Sequence, residues 1–152
     1  MITITIPEQV LPLLREVYAN KLNATSRGAR YAMNTKKRAF KEAVRVASTV
    51  EGEPVQGPNI TAIYRFVLPR CDLDAPLKSV QDAIESIGIA CRDDRVIRTA
   101  SIFLFRPKKA TKKRAGRSPG VTVYLFNTTT EKPMILSKTF HLLDESAEAW
   151  GD

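Results

Sequence analysis

Ile2, Ile4 and Ile6 alternate with Thr3 and Thr5 up to Pro7, the period of two expected of a strand with one buried face. Over residues 9–22 the period changes. Val10, Leu13, Leu14, Val17 and Tyr18 recur at three and four residues, which predicts an amphipathic helix carrying Pro12 in its first turn. Residues 23–33 show neither period and read as irregular. A second helix is expected from a cap at Asn34 or Thr35, with Phe40, Val44 and Ala47 on one face and Lys37, Lys41 and Arg45 on another, ending before Gly52. Residues 51–58, rich in Gly, Pro and Glu, predict a loop, and β-branched and aromatic residues return over 60–68 as a strand that Pro69 ends. The helical period reappears through Leu77, Val80, Ala83, Ile84 and Ile87, with Gly88 as its C-terminal cap. Two further strands are expected at 96–105 and 121–126, paired antiparallel across a loop at 106–120, and the mixed tail allows a short strand at 135–140.

These elements predict an α/β (α+β) fold: a small mixed, largely antiparallel sheet with two to three helices packed on it. The length of 152 residues fits a single domain over 1–152. Hydrophobic residues at 43% and charged residues at 26% exclude wholesale disorder and a disulfide-stapled miniprotein. No apolar run approaches the ~18 to 20 residues that cross a bilayer, so no membrane partner and a cytoplasmic setting are expected. Cys71 and Cys91 are the two cysteines, too few for a four-ligand zinc site, and read as reduced thiols.

Charge changes the picture. The 24 Lys and Arg outnumber the 16 Asp and Glu and leave +8, a balance that favours a polyanionic partner. Arg27, Arg30, Lys36, Lys37, Arg38, Lys41 and Arg45 form one cluster; Arg106, Lys108, Lys109, Lys112, Lys113, Arg114 and Arg117 form another. Both suit phosphate contacts that position a duplex without reading its sequence, although a solvated loop is the plainer reading of residues 106–120. Arg27, Arg30 and Tyr31, in the segment read as irregular, offer cationic and aromatic groups suited to contact unstacked bases. Residues 141–152 carry Asp144, Glu145, Glu148 and Asp152 without a Lys or Arg, a local acidic tail.

The chemistry-bearing stretch is Asp72-Leu73-Asp74 before the third helix, with Asp93-Asp94 after it. If the strands at 60–68 and 96–105 are antiparallel neighbours, the end of one and the start of the other share an edge and the acid pairs converge. Three or four converging carboxylates in a basic protein suit Mg²⁺, with Mn²⁺ as a substitute, holding phosphate oxygens for phosphodiester hydrolysis. Lys78 lies four residues from both Asp74 and Asp82 and shares their helix face. There it would offset charge developing on the phosphate. Plainer readings stand beside these: Asp72 or Asp74 as a helix cap, Lys78 and Asp82 as an exposed pair, and Asp93 and Asp94 as turn residues.

Residues 72–96 resemble the RusA family of Holliday-junction resolvases. That family's motif runs Asp-Leu-Asp-Asn, places a Lys four residues after the second Asp and a paired Asp-Asp after the helix. The resemblance implies Asp72, Asp74 and Asp94 as metal-binding catalytic carboxylates and Lys78 as a further catalytic residue. Asp82 and Asp93 are implied as supporting residues. It also implies a homodimer that binds a four-way DNA junction and, with Mg²⁺, makes two symmetric incisions in recombination or repair, in a phage, prophage or host setting. Ala75, followed by Pro76, stands where the family carries Asn, and residues 7–22 replace a Pro-Pro-Ser-type segment after the first strand.

His141 is the single histidine, which leaves little for histidine-based catalysis. No Gly-x-x-x-x-Gly-Lys-Ser loop is present, so no nucleotide cofactor is expected. Phe66, Phe103, Phe105, Tyr124 and Phe126 are expected in the core or a dimer interface, and Trp150 at an unpacked terminus. The alternative from another class is a module that binds branched or duplex DNA without cutting it, its acid cluster structural.

Overall fold

The alternating Ile2, Ile4 and Ile6 form one face of β1 (Ile2–Ile6), and all three are buried. The computed structural model describes residues 1–19, 26–88 and 96–150. After β1 come a 3-10 turn (Glu8–Val10), α1 (Leu11–Ala19), α2 (Arg27–Ala47), β2 (Thr49–Gly52) and β3 (Ile60–Val67). Then follow α3 (Leu77–Ile87), β4 (Ile97–Phe105), β5 (Gly120–Asn127) and α4 (Lys132–Trp150). The strands make one five-stranded sheet in the order β2-β1-β5-β3-β4, antiparallel except between β3 and β4. The chain is thus a single small α+β domain.

Alternation sends side chains of each strand to opposite faces. One face, built from Ile4, Ala62, Tyr64, Phe66, Val123 and Leu125, packs against Leu14 and Val17 of α1, Phe40 and Val44 of α2, and Val80 and Ile84 of α3. The other places Ile63, Phe126 and Phe103 under Leu142 and Ile135 of α4. Each large side chain buried in this way contributes about 1.5–3 kcal/mol. β3 is covered on both faces, and Arg65 alone of its eight residues is not buried.

Three expectations about elements need correction. Residues 27–33 are helical: α2 begins at Arg27, where the Ser26 hydroxyl accepts the Ala29 N–H at 3.1 Å. Neither Asn34 nor Thr35 caps it. The first turns expose Arg27, Gly28 and Arg30, so no apolar stripe marks them, although Ala and Arg favour helix. Within residues 51–58, Glu51 and Gly52 belong to β2, a short polar edge strand that only its pairing with β1 defines. The tail forms α4 rather than a strand at 135–140, which makes four α-helices among the described residues and places Asp144, Glu145 and Glu148 of the acidic stretch on the far half of a helix.

The fourth correction bears on the site. β4 and β5 do not pair with each other; β3 lies between them, parallel to β4, with Ile60 opposite Ile97 and Val67 opposite Phe105. A helix-bearing crossover through α3 allows this, since parallel neighbours need a long connection.

Candidate active site and nucleic-acid interface

The parallel pair ends together. The Leu68 N–H donates to the Phe105 carbonyl at 3.0 Å, which sets the segment after β3 beside the segment after β4. Between them lies a cleft of about 520 Å³ lined by Arg70, Cys71, Asp72, Leu104 and Arg106. Two tight turns carry the acids: Ala75 N–H donates to the Asp72 carbonyl and Leu77 N–H to the Asp74 carbonyl, both at 3.2 Å. Asp72, Leu73 and Asp74 are exposed. Pro76 occupies the cap position of α3 and no side chain caps the helix, so neither carboxylate serves as the cap. Burial first, and the Asp72 carboxylate second, push the Cys71 thiol up from its ordinary value, which keeps it protonated and a poor metal ligand at neutral pH.

In the first turn of α3, Lys78 places its Nζ 3.1 Å from Asp82 Oδ1. The pair borders a narrow cleft with Lys37 and Lys41 of α2, floored by Phe40 and Val17. The basic helix therefore lines up beside the expected catalytic lysine, as helix packing against α3 demands. Lys36, Lys37 and Lys41 are half-buried, while Arg27, Arg30 and Arg38 are exposed along α2. Tyr31, 76% exposed, sits in the second turn with Arg30, not in an irregular segment.

The segment after β4 forms a small hairpin of its own. Lys108 and Arg117 exchange backbone hydrogen bonds at 2.9 and 2.8 Å, and the Thr111 N–H reaches the Arg114 carbonyl at 2.9 Å. Gly116 permits this closeness: a Cβ there would lie 2.6 Å from the Ala110 nitrogen. Lys108, Lys109, Lys112, Lys113 and Arg114 are exposed around it. Arg117 instead turns back over the Phe105 ring, 4.7 Å from its centroid.

Asp93 and Asp94 lie outside the described residues. The expected route for bringing them to Asp72 and Asp74 was antiparallel pairing of β3 with β4, and the pairing is parallel. Ile97, where β4 begins, is beside Ile60, and the seven steps from Ile60 to Val67 span roughly 23 Å at about 3.3 Å per residue. Among the described residues no group of three or more Asp, Glu, His or Cys is placed to hold a metal ion.

The structure adds groups that the sequence reading did not single out. Arg70 lines the cleft with Asp72, alongside Arg106 of the second basic cluster. Arg65, on the face of β3 beneath α4, is bonded to Glu145. A lone Arg inside the apolar run of residues 60–68 was the available signal. Among the described residues no helix is long and apolar enough to cross a membrane. Compared with family models, curated proteins and solved structures, the chain matches none.

Proposed function

We propose that the chain is a Mg²⁺-dependent, structure-selective endodeoxyribonuclease of the RusA type, a cytoplasmic homodimer that resolves four-way DNA junctions. One observation carries the reading: exposed Asp72 lines a cleft with Arg70 and Arg106, and exposed Asp74, which like Asp72 is uncommitted to capping, leads directly into α3, whose Lys78 borders a second cleft with Lys37 and Lys41. Carboxylates inside a field of cations make a place where a phosphodiester can approach oxygen ligands without net repulsion.

Asp72 and Asp74 are hard oxygen donors of the kind Mg²⁺ takes, with Asp94 as the third ligand implied by the resemblance. An ion held by these carboxylates would lower the pKa of a bound water and so provide the nucleophile. Lys78 holds a positive charge where the scissile phosphate gathers negative charge, and Asp82 fixes the lysine's direction from the next turn. Arg70, Arg106, Lys37 and Lys41 grip the flanking backbone. Lys36, Arg38, Arg27 and Arg30 extend that grip along α2, and Lys108, Lys109, Lys112, Lys113, Arg114 and Arg117 extend it through the hairpin. The resemblance implies Asp93 as a supporting residue. For the dimer, Leu136, Phe140 and Leu143, between 48% and 62% exposed, form one stripe on the side of α4 away from the sheet. A two-fold pairing through that stripe suits a two-fold junction.

The parallel pairing of β3 and β4 favours a second reading, a branched-DNA-binding module that does not cut, because it takes the start of β4 away from Asp72. Incubation with a synthetic four-way junction and with linear duplex of the same sequence, in Mg²⁺ and in EDTA, separates the two. Paired nicks in the junction alone and only with metal support the nuclease; binding without a cut in Mg²⁺ or Mn²⁺ leaves the module.

A further inference from the structure

A charged residue in the middle of a strand covered on both faces is costly unless it is paired. Arg65 is that residue. It meets Glu145 of α4 through two side-chain bonds, Nε to Oε2 at 3.1 Å and Nη2 to Oε1 at 2.5 Å, the fork geometry by which guanidinium binds carboxylate or phosphate. Arg117 approaches the same carboxylate from the hairpin, its Nε 3.4 Å from Oε1. Both guanidiniums lie over the Phe105 ring, 5.2 and 4.7 Å from its centroid, which holds them in place by cation–π attraction. Two fixed cations thus share one anion.

Around this cluster opens a cleft of about 830 Å³, into which the hairpin also contributes Lys108, Lys109 and Arg114. Its acids are Glu145 and Glu148, against five Lys and Arg. Glu145 reaches in from a lightly held part of the helix. Leu142 is the buried apolar side chain of α4, and the described residues beyond it are exposed or half-buried. The hydrogen bond from Arg65 holds the Glu145 carboxyl below its ordinary value, with the charges of Arg65, Arg117 and His141 adding to it against burial. It is a standing anion at neutral pH.

We propose that this cleft is a seat for the phosphodiester backbone of a nucleic-acid strand, and that Glu145 occupies it as an internal stand-in that the strand displaces. Arg65 takes both carboxylate oxygens and Arg117 shares Oε1, contacts that the two non-bridging oxygens of a phosphodiester can replace. The seat faces the α4 side of the sheet, away from the Lys37, Lys41 and Lys78 surface, so it holds a different stretch of backbone from the one beside Asp72. The inference rests on the nucleic-acid reading of the basic surfaces but not on cleavage.

The test is anisotropy titration of a short fluorescein-labelled duplex DNA with the full chain in EDTA, across a range of salt, for wild type, Glu145→Gln and Arg117→Gln, each first checked by thermal melting. Glu145→Gln is expected to bind about tenfold more tightly at low salt, with a salt slope steeper by about one to two, as expected for one or two additional phosphate contacts. Arg117→Gln is expected to weaken binding severalfold and, combined with Glu145→Gln, to cancel the gain. If Glu145→Gln binds as wild type does, the carboxylate is a structural partner only and the proposal falls. It also falls if the variant gains affinity for poly-L-glutamate but not for DNA. Should Glu145→Gln fail to fold, unchanged duplex affinity in Arg117→Gln overturns the proposal alone. Because EDTA prevents cutting, a chain that never cleaves junctions still gives a clear answer, and one that cleaves them with unchanged Glu145→Gln binding loses only this seat.

Discussion

Lys78 and Asp82 face each other across one turn of α3, Nζ to Oδ1 3.1 Å, and the turn on which Lys78 sits follows directly from the Asp72–Asp74 turns. The pairing gives the lysine a fixed direction in a region otherwise open to solvent. Exposed pairs of this spacing add only about 0.3–0.5 kcal/mol to stability, so in the nuclease reading its consequence lies in catalysis. Lys78→Met is expected to slow single-turnover junction cleavage by about 10²- to 10³-fold, the usual cost of removing one transition-state charge partner. Asp82→Asn is expected to cost about tenfold or less, since it removes the lysine's anchor and not its charge. Both variants should melt within a degree or two of wild type, roughly the shift that a few tenths of a kcal/mol gives.

Acid should weaken the attachment of α4. The Arg65 hydrogen bond holds the Glu145 carboxyl below its ordinary 4.5. Burial pushes Glu131 up, but bonds from the N-terminal amine and the Asn127 N–H outweigh it and leave that carboxyl below 4.5 as well. A carboxylate whose folded value is depressed contributes stability above its unfolded value and loses it as pH falls through the folded one. The melting temperature is therefore expected to drop on acidification below about pH 4.5. Glu145→Gln should melt lower than wild type at neutral pH and converge with it in acid. Parallel melting curves at all pH values would show that the pair contributes nothing.

Two glycines with positive φ should respond differently to alanine. Gly52, at φ +100, closes β2 where a Cβ would overlap the Met1 carbonyl oxygen. Gly88, at φ +73, ends α3 with nothing within 4 Å. Gly52→Ala is expected to cost about 2 kcal/mol or more, steric overlap adding to left-handed strain, and Gly88→Ala about 1 kcal/mol. Urea unfolding measures both.

The apolar stripe of Leu136, Phe140 and Leu143 lies opposite the Ile135 and Leu142 side of α4, which packs on the sheet. In the homodimer reading, Phe140→Asp converts dimer to monomer by sedimentation velocity without lowering the melting temperature of the subunit. Wild type sedimenting as a monomer would remove this stripe as the interface.

Periodicity carried most of the fold. The alternation of Ile2, Ile4 and Ile6, the apolar run at 60–68 and the spacing of Leu77, Val80, Ala83, Ile84 and Ile87 each reflect a single buried face, and all three elements stand where the pattern puts them. What was not legible depends on partners far along the chain. β2 exists because β1 offers Ile2 to Thr5 as a ladder for Thr49–Gly52. The start of α2 shows no stripe because it lies in solvent. α4 carried a signal that went unused: Asn127 Oδ1 accepts the N–H groups of Thr129 and Thr130, Glu131 returns a bond to the Asn127 N–H, and Pro133 stands in the first turn. Strand direction was least accessible, because the same residues in β3 and β4 bury equally well in either sense. That ambiguity matters most at the site. Asp72, Asp74, Lys78 and Asp82 are candidates from their spacing and from the family resemblance, whereas the meeting of Arg70, Arg106 and Asp72 in one cleft follows only from parallel ends.

The central claim is that Asp74 holds the metal for cutting and plays no part in gripping DNA. Its most direct test compares wild type with Asp74→Asn on a four-way junction, cleavage being read in Mg²⁺ and affinity in EDTA. The account predicts paired, metal-dependent nicks by wild type, none by the variant, and equal affinity for both. Nicking by Asp74→Asn at the wild-type rate, or binding by wild type without any cut, would contradict it.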